Sequence, residues 1–264
     1  MNNKFVFVGG LHRSGTSILF KCLRDHPMVS GFEGTGVPED EGQHLQSVFS
    51  PARAYGGGSR FGFYPEAHLT ETSSLMNLQN RDRLWSEWKQ YWDISKPFLL
   101  EKSPPNLIRT RFLQAMFPGA YFVIIMRHPI AYACPRQSES KIKGIYSLLK
   151  HWIVCHEILM NDSSHIKNLF VIKYEEFVSD PEMHLGRIYA FLRCPPHPTH
   201  QTVKSDINQK YFAAWDRKRT RPLSRPCLDF ISWKFERNVN GFGYSLYDHD
   251  VLDPWSPVQK PKAG

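Results

Sequence analysis

The sequence has no pair of cysteines at metal-ligand or redox spacing. Its five cysteines, Cys22, Cys134, Cys155, Cys194 and Cys227, are scattered and odd in number. That argues against a disulfide framework and against a zinc site. No apolar run approaches the ~18 residues of a membrane span. No leader-like segment precedes the first structural run, because KFVFVGG already reads as a strand from residue 4. These absences lead to the expectation of a cytoplasmic protein with reduced thiols and no membrane partner; a lumenal domain trimmed of its anchor would look the same. Neither repeats nor a linker divide the chain, and no recognition module or dense basic helix points to nucleic acid. No His-Glu-x-x-His motif occurs, and His151 and His156 stand five residues apart, poor helical spacing for shared ligation. No metal is expected.

What is present is a chain of 264 residues, 41% hydrophobic, enough for one domain with a sizeable core. Its formal net charge of +8 suits an anionic ligand. Short β-branched and aromatic runs alternate with helical periodicity. FVFVGG (5–10), MVSGF, PFLLEKSPP (97–105), AYFVIIMRHP (120–129) and NLFVIKYEEF (168–177) read as strands. Helices are expected over 14–26, 65–93, 106–117, 130–142, 144–162 and 180–192, with helix and loop in the C-terminal third. The run at 120–129 is too continuous for a half-exposed antiparallel strand. The pattern predicts a single α/β domain over 1–253, with a mainly parallel sheet flanked by helices. It also predicts an irregular insertion at about 33–95 on the acceptor side and a Pro-rich tail at 254–264.

VGGLHRSGTSIL (8–19) joins the first strand to the first helix. Backbone N–H groups in such a turn, together with the helix dipole, form an anion site. Gly10 and Gly15 have the spacing of an ATPase loop, G-x-x-x-x-G-K-[ST], but Thr16 stands where its lysine belongs. The positive charge lies earlier, at Arg13. A kinase or a nucleotide-binding regulator, the rival reading, needs that lysine and a carboxylate for Mg²⁺; FVIIMRHP ends its strand in Arg127 instead.

GGLHRSGTSIL resembles the 5′-phosphosulfate loop of the sulfotransferase superfamily, in its Arg-Ser-Gly-Thr form. Three further segments match in order: LLEKSPP, FVIIMRHP and VIKYEEFVSDPEMHLGRIYAFL, so the likeness extends over residues 5–192. The resemblance implies a P-loop-like fold and transfer of a sulfuryl group from 3′-phosphoadenosine 5′-phosphosulfate (PAPS), leaving 3′-phosphoadenosine 5′-phosphate (PAP). It implies that His12, Arg13, Ser14, Gly15, Thr16 and Ser17 hold the phosphosulfate. It likewise implies that Arg127 holds the 3′-phosphate and that Lys102 lies beside donor or acceptor. The family's usual serine, eight residues after that arginine, is replaced here by Pro135, and Ser138 is the nearest substitute. The basic run DRKRTRPLSR (216–225) offers Arg217 and Lys218 as a second clamp on the 3′-phosphate.

The acceptor must lose a proton to a base. Glu33, at the offset of the tyrosylprotein enzymes' catalytic glutamate, is the first candidate; His44, Glu39 and Glu41 remain open. The expected acceptor is a small-molecule hydroxyl, with a carbohydrate or a peptide tyrosine as alternatives. Oligomeric state has no signature in the sequence.

Overall fold

Phe5, Val6, Phe7 and Val8 are buried on both sides of a strand, and that strand is the middle of the sheet. The computed structural model describes residues 3–134 and 142–255. Its five strands are β1 (Lys4–Gly10), β2 (Val29–Gly31), β3 (Phe98–Lys102), β4 (Tyr121–Met126) and β5 (Leu169–Lys173). They lie in the order β2-β3-β1-β4-β5, and every pairing is parallel. Runs such as FLLEK and YFVIIM, buried at every position, suit strands covered on both faces.

Nine helices cover the sheet among the described residues: α1 (Thr16–Arg24), α2 (Leu78–Lys89), α3 (Thr110–Met116), α4 (Pro129–Ala133), α5 (Ile142–Ser163), α6 (Tyr174–Ser179), α7 (Pro181–Leu192), α8 (Gln209–Thr220) and α9 (Arg225–Asn240). Two apolar layers result. One packs α1, α2, α3 and α7 against Phe5, Phe7, Val123 and Ile125. The other packs α4, α5, α8 and α9 against Ile124 and Met126. The chain leaves β1 toward β3 and β2 and later returns to β4 on the opposite side. The carboxyl end of β1 is therefore the switch point where open parallel sheets place ligands.

Two expected elements differ. The helix expected over 65–93 is only α2, because polar side chains of TETSSLMN (70–77) bond to nearby backbone instead. Ser73 Oγ accepts from Thr70 N–H at 2.9 Å, and Asn77 caps α2 by accepting from Asn80 N–H at 2.8 Å. The strand expected to reach Phe177 stops at Lys173, where the chain turns directly into α6. The insertion is a series of short 3₁₀ turns (Pro38–Asp40, Gly42–His44, Ala52–Tyr55, Phe61–Phe63, Pro65–Ala67) rather than helix. Of the Pro-rich tail, residues 256–264 lie outside the described residues.

The insertion is fastened by Arg109, which is wholly buried before α3. Its Nη2 donates to Ser50 O at 2.9 Å, and its guanidinium lies 4.7 Å from the centre of the Phe49 ring. Burial pulls its pKa down to about 10, still far above neutrality. Arg109→Leu also strands the buried Ala67 carbonyl, to which Nε donates at 3.4 Å, so an unfolding free energy lowered by about 1–3 kcal/mol is expected from urea titration.

Candidate active site

β1 ends in Gly9 and Gly10 because nothing larger fits. A side chain at Gly10, at φ +155°, would overlap the carbonyl of Ile125 on β4. Gly15 sits at φ +98° as the residue before α1, and a Cβ there would lie 2.5 Å from Tyr174 Cδ2. No side chain caps α1, so the N–H groups of its first turn are left to an outside acceptor. Ser14 is buried inside the loop with its hydroxyl unpartnered. A cleft of about 280 Å³ opens in front, lined by Arg13, Gly15, Thr16, Ser17, Arg127, Tyr174 and Tyr211.

Arg127 follows β4 and reaches the loop from the other side. Its Nη1 donates to Arg13 O at 2.6 Å, and its Nε and Nη2 donate to Asn208 Oδ1 at 2.9 and 2.5 Å. The guanidinium lies 4.3 Å from the centre of the Tyr174 ring. Arg127 is 6% exposed, and among the described residues no carboxylate lies within ion-pair distance of it. Burial lowers its pKa, the expected direction for a cation in want of a counter-ion. The nearest acid, Glu175, is one residue removed. It accepts from Asn208 Nδ2 at 2.5 Å, from His128 N–H at 3.0 Å and from Tyr244 OH at 2.9 Å. A neutral amide thus separates the buried cation from the buried acid. The orphaned Ser14 hydroxyl, the uncapped α1 and the uncompensated Arg127 fit a ligand with separated anionic groups.

The other wall of the site comes from β3 and the first turns of the insertion. Lys102 Nζ, buried, donates to Glu39 O at 2.9 Å, to Glu41 Oε1 at 3.3 Å and to Ser17 Oγ at 3.4 Å. Ser17 Oγ donates to Glu39 Oε2 at 3.0 Å. Glu39 and Asp40 both have positive φ, 54° and 50°. Such a conformation costs non-glycine residues about 1–2 kcal/mol each. It is held by Asp40, whose Oδ1 accepts from Thr35 N–H and Oγ1–H at 2.8 and 2.7 Å. His44 is half-buried beside Glu41, 3.8 Å between Nε2 and Oε2, too far for a hydrogen bond. Burial lowers its pKa, which leaves the imidazole neutral at neutral pH.

The structure therefore brings Arg13, Gly15, Thr16, Ser17 and Arg127 to the cleft, with Ser14 buried within the loop and Lys102 joined to it through Ser17. His12 packs behind the loop against Phe61, ring centroids 6.0 Å apart, and does not line the cleft. Glu33 does not come to the loop. It pairs with Arg24 at 2.7 Å. Arg24 is the last residue of α1, eight residues and roughly 12 Å along the helix from Thr16. The reason is the chain path after β2, which turns at Gly34 (φ 63°) and Gly36 (φ 81°) and returns Glu39 and Glu41 instead. Arg217 and Lys218 lie in the second half of α8, six and seven residues beyond Tyr211, and do not line the cleft. Ser138 lies outside the described residues. Asn208 and Tyr211 are the residues at the cleft that the sequence did not suggest, because an isolated Asn just before α8 and an isolated Tyr in its first turn have no distinctive spacing. Among the described residues no group of His, Cys, Asp and Glu is placed to hold a metal ion, and no helix is long and apolar enough to cross a membrane.

A family model described as Sulfotransferase family matches residues 6–198. Protein-tyrosine sulfotransferase A of Caenorhabditis elegans is 23% identical over 200 residues, 72% of this chain and 50% of that protein. The chain thus spans about half the length of this curated relative. Among solved structures, the sulfotransferase domain of the Synechococcus PCC 7002 olefin synthase superposes with a TM-score of 0.54 at 16% identity, covering 92% of this chain and 95% of that domain. The sulfotransferase domain from the curacin biosynthetic pathway superposes with a TM-score of 0.51 at 14% identity, covering 87% and 98%. At these identities the likeness to solved structures concerns the fold.

Asn208 fixes Arg127 without neutralising it. Asn208→Asp would set a carboxylate against the guanidinium and satisfy it internally. Calorimetric titration with PAP is expected to give at least a tenfold weaker Kd for that variant, a loss of about 1.4 kcal/mol.

Proposed function

The chain belongs to the sulfotransferase family, and we propose that it transfers the sulfuryl group of PAPS to a hydroxyl of a small-molecule acceptor. The observation that carries the choice of donor is the buried Arg127 without a counter-ion, set across one cleft from an uncapped helix start. A donor with a 5′-phosphosulfate and a 3′-phosphate supplies one anion for each. When bound, PAPS supplies a sulfuryl group already activated by its phosphate leaving group.

The residues then divide as follows. Arg13, Ser14, Thr16, Ser17 and the first N–H groups of α1 hold the 5′ end, and Arg127 holds the 3′-phosphate. Tyr174 and Tyr211 wall the cleft between them. Lys102, directed at Ser17, neutralises charge that builds on the departing phosphate oxygen. Glu39 accepts the acceptor's proton as the new oxygen–sulfur bond forms and the old one breaks, its electron pair leaving with PAP. Glu39 is preferred over Glu41 because Glu41 is buried and both of its oxygens are taken, by Lys102 and by Gln43 Nε2 at 2.5 Å. It is preferred over Glu33 by position. The left-handed backbone of Glu39 is the kind of local strain that collects at functional sites.

One observation favours a second acceptor class: the curated relative is named for protein tyrosine. Incubating labelled PAPS with a panel of phenols, alcohols, sugars and a tyrosyl peptide separates the classes by which product carries label. A family of P-loop kinases is not the family this chain belongs to, and the donor test is direct. PAP at 100 times its Kd is expected to stabilise the protein by about 2.7 kcal/mol in thermal melts, with no comparable effect of ATP–Mg²⁺. Stabilisation by ATP–Mg²⁺ alone overturns the reading. Glu39→Gln is expected to lower kcat by about 10²–10⁴-fold with the affinity for PAP unchanged. A full rate in that variant moves the base to another residue.

A further inference from the structure

Glu101 and Lys102 are neighbours on β3 and so point to opposite faces of the sheet. Both nevertheless hold the same segment, residues 39–44, because that segment wraps around the carboxyl end of the strand. Lys102 takes its side chains and one carbonyl, as described. Glu101 takes its backbone.

Glu101 is wholly buried. Its Oε1 accepts from Gly42 N–H at 3.0 Å and from Ser103 Oγ–H at 2.6 Å, and its Oε2 accepts from Asn106 Nδ2–H at 2.5 Å. Ser103 Oγ in turn accepts from Gln43 N–H at 2.9 Å. Two consecutive amides, those of Gly42 and Gln43, therefore end on Glu101, one directly and one through Ser103. The carbonyl of Gly42 is taken from the other side by Trp88 Nε1 at 3.0 Å. A side chain at position 42 would overlap the Glu101 carboxylate.

We propose that Glu101, as a buried anion, is the positioning residue for the proton-accepting segment: it fixes Gly42 and Gln43, and so sets where Glu39, Glu41 and Lys102 meet Ser17. The proposal rests on the function proposed above for those groups. The hydrogen-bond inventory requires the anion. The backbone N–H of Gly42 and the Nδ2 of Asn106, which also donates to Val8 O at 3.1 Å, can only donate, so a protonated carboxyl oxygen or a glutamine NH₂ facing either would set a donor toward a donor. The charged groups facing Glu101 are Lys102 beside it, Glu41 across the segment and Arg109 behind it. Against its donors and Lys102, burial pushes the Glu101 carboxyl up to about 7. The same group then makes the site sensitive to pH. Below about 7 it takes up a proton and gives up an acceptor, so one of the hydrogen bonds that orient the segment is lost. The sign for stability is opposite. A carboxyl with a raised folded-state pKa contributes stability below its unfolded value, about 4.3, and loses it as pH rises through about 7.

The test compares wild type with Glu101→Gln. With PAPS saturating, wild-type kcat is expected to fall on the acid side of about pH 7. The variant is expected to show at least tenfold lower kcat at pH 8, no acid limb there and an unchanged KM for PAPS, since residues 12–17 are untouched. Its melting temperature relative to wild type should rise between pH 5 and pH 8. Wild-type kcat with the same acid limb in the variant overturns the proposal. A wild-type protein that transfers no sulfate overturns the proposed function instead, and the positioning role is then read without activity. Hydrogen exchange of the Gly42 and Gln43 amides in the wild-type protein, corrected for intrinsic rates, should speed up from pH 8 to pH 5.5. Unchanged protection over that range overturns the positioning role even where Glu101→Gln does not fold.

Discussion

Arg127 is a cation taken out of water and given no anion. Leaving a buried charge unpaired is among the more expensive arrangements a protein can keep. Here every neighbour is arranged around the debt without cancelling it. The Asn208 Oδ1 and the Arg13 carbonyl accept from three of the guanidinium's five N–H groups, and the Tyr174 ring covers one face. Glu175, which could neutralise it, is kept one residue away. The loop from Leu11 to Ser17 takes its shape from the same centre. Arg13 lies in the left-handed region, and that is the turn that presents its carbonyl to Arg127. The glycines on either side then follow from packing against β4 and Tyr174.

The donor side was legible in the sequence because it is local. A strand, a glycine-bounded turn and a helix start are contiguous, and each part leaves its own signature in residue type and spacing. Arg127 was legible for a similar reason: it ends the most continuous apolar run in the chain. The parallel sheet followed from alternation and from strands apolar throughout. The acceptor side was harder to read, because it is built by a returning segment whose geometry depends on positive φ at Gly34, Gly36, Glu39 and Asp40. Counting residues from β2 selects Glu33. The folded path brings Glu39 to Ser17 and Glu41 to Lys102, and no periodicity encodes that path. Asn208 and Tyr211 were invisible for another reason: they act through contacts made some 80 residues away from Arg127 in sequence, 81 in the case of Asn208.

The two walls of the site are controlled differently. The donor wall depends on hydrogen bonds to groups that do not titrate near neutrality: backbone amides, hydroxyls and guanidinium. The acceptor wall hangs from β3 through one carboxylate and one ammonium, Glu101 and Lys102, facing opposite ways on adjacent residues. The division suits a two-substrate enzyme. It lets one side stay constant while the other responds to its surroundings.

Asn208 lies ten residues beyond the last position matched by the family's pattern, residue 198. The matched span therefore holds Arg127 but stops short of the Asn208 that accepts from it. Within the matched span, strand, loop and arginine are all present, and the Arg13 carbonyl and the Tyr174 ring hold one side of the guanidinium. Asn208, which takes the other two nitrogens and so fixes the guanidinium across the cleft, lies beyond that span. The setting of a buried cation is thus decided by a contact made from the segment just before α8, so a change there alters the cleft while the loop from Leu11 to Ser17 keeps its sequence.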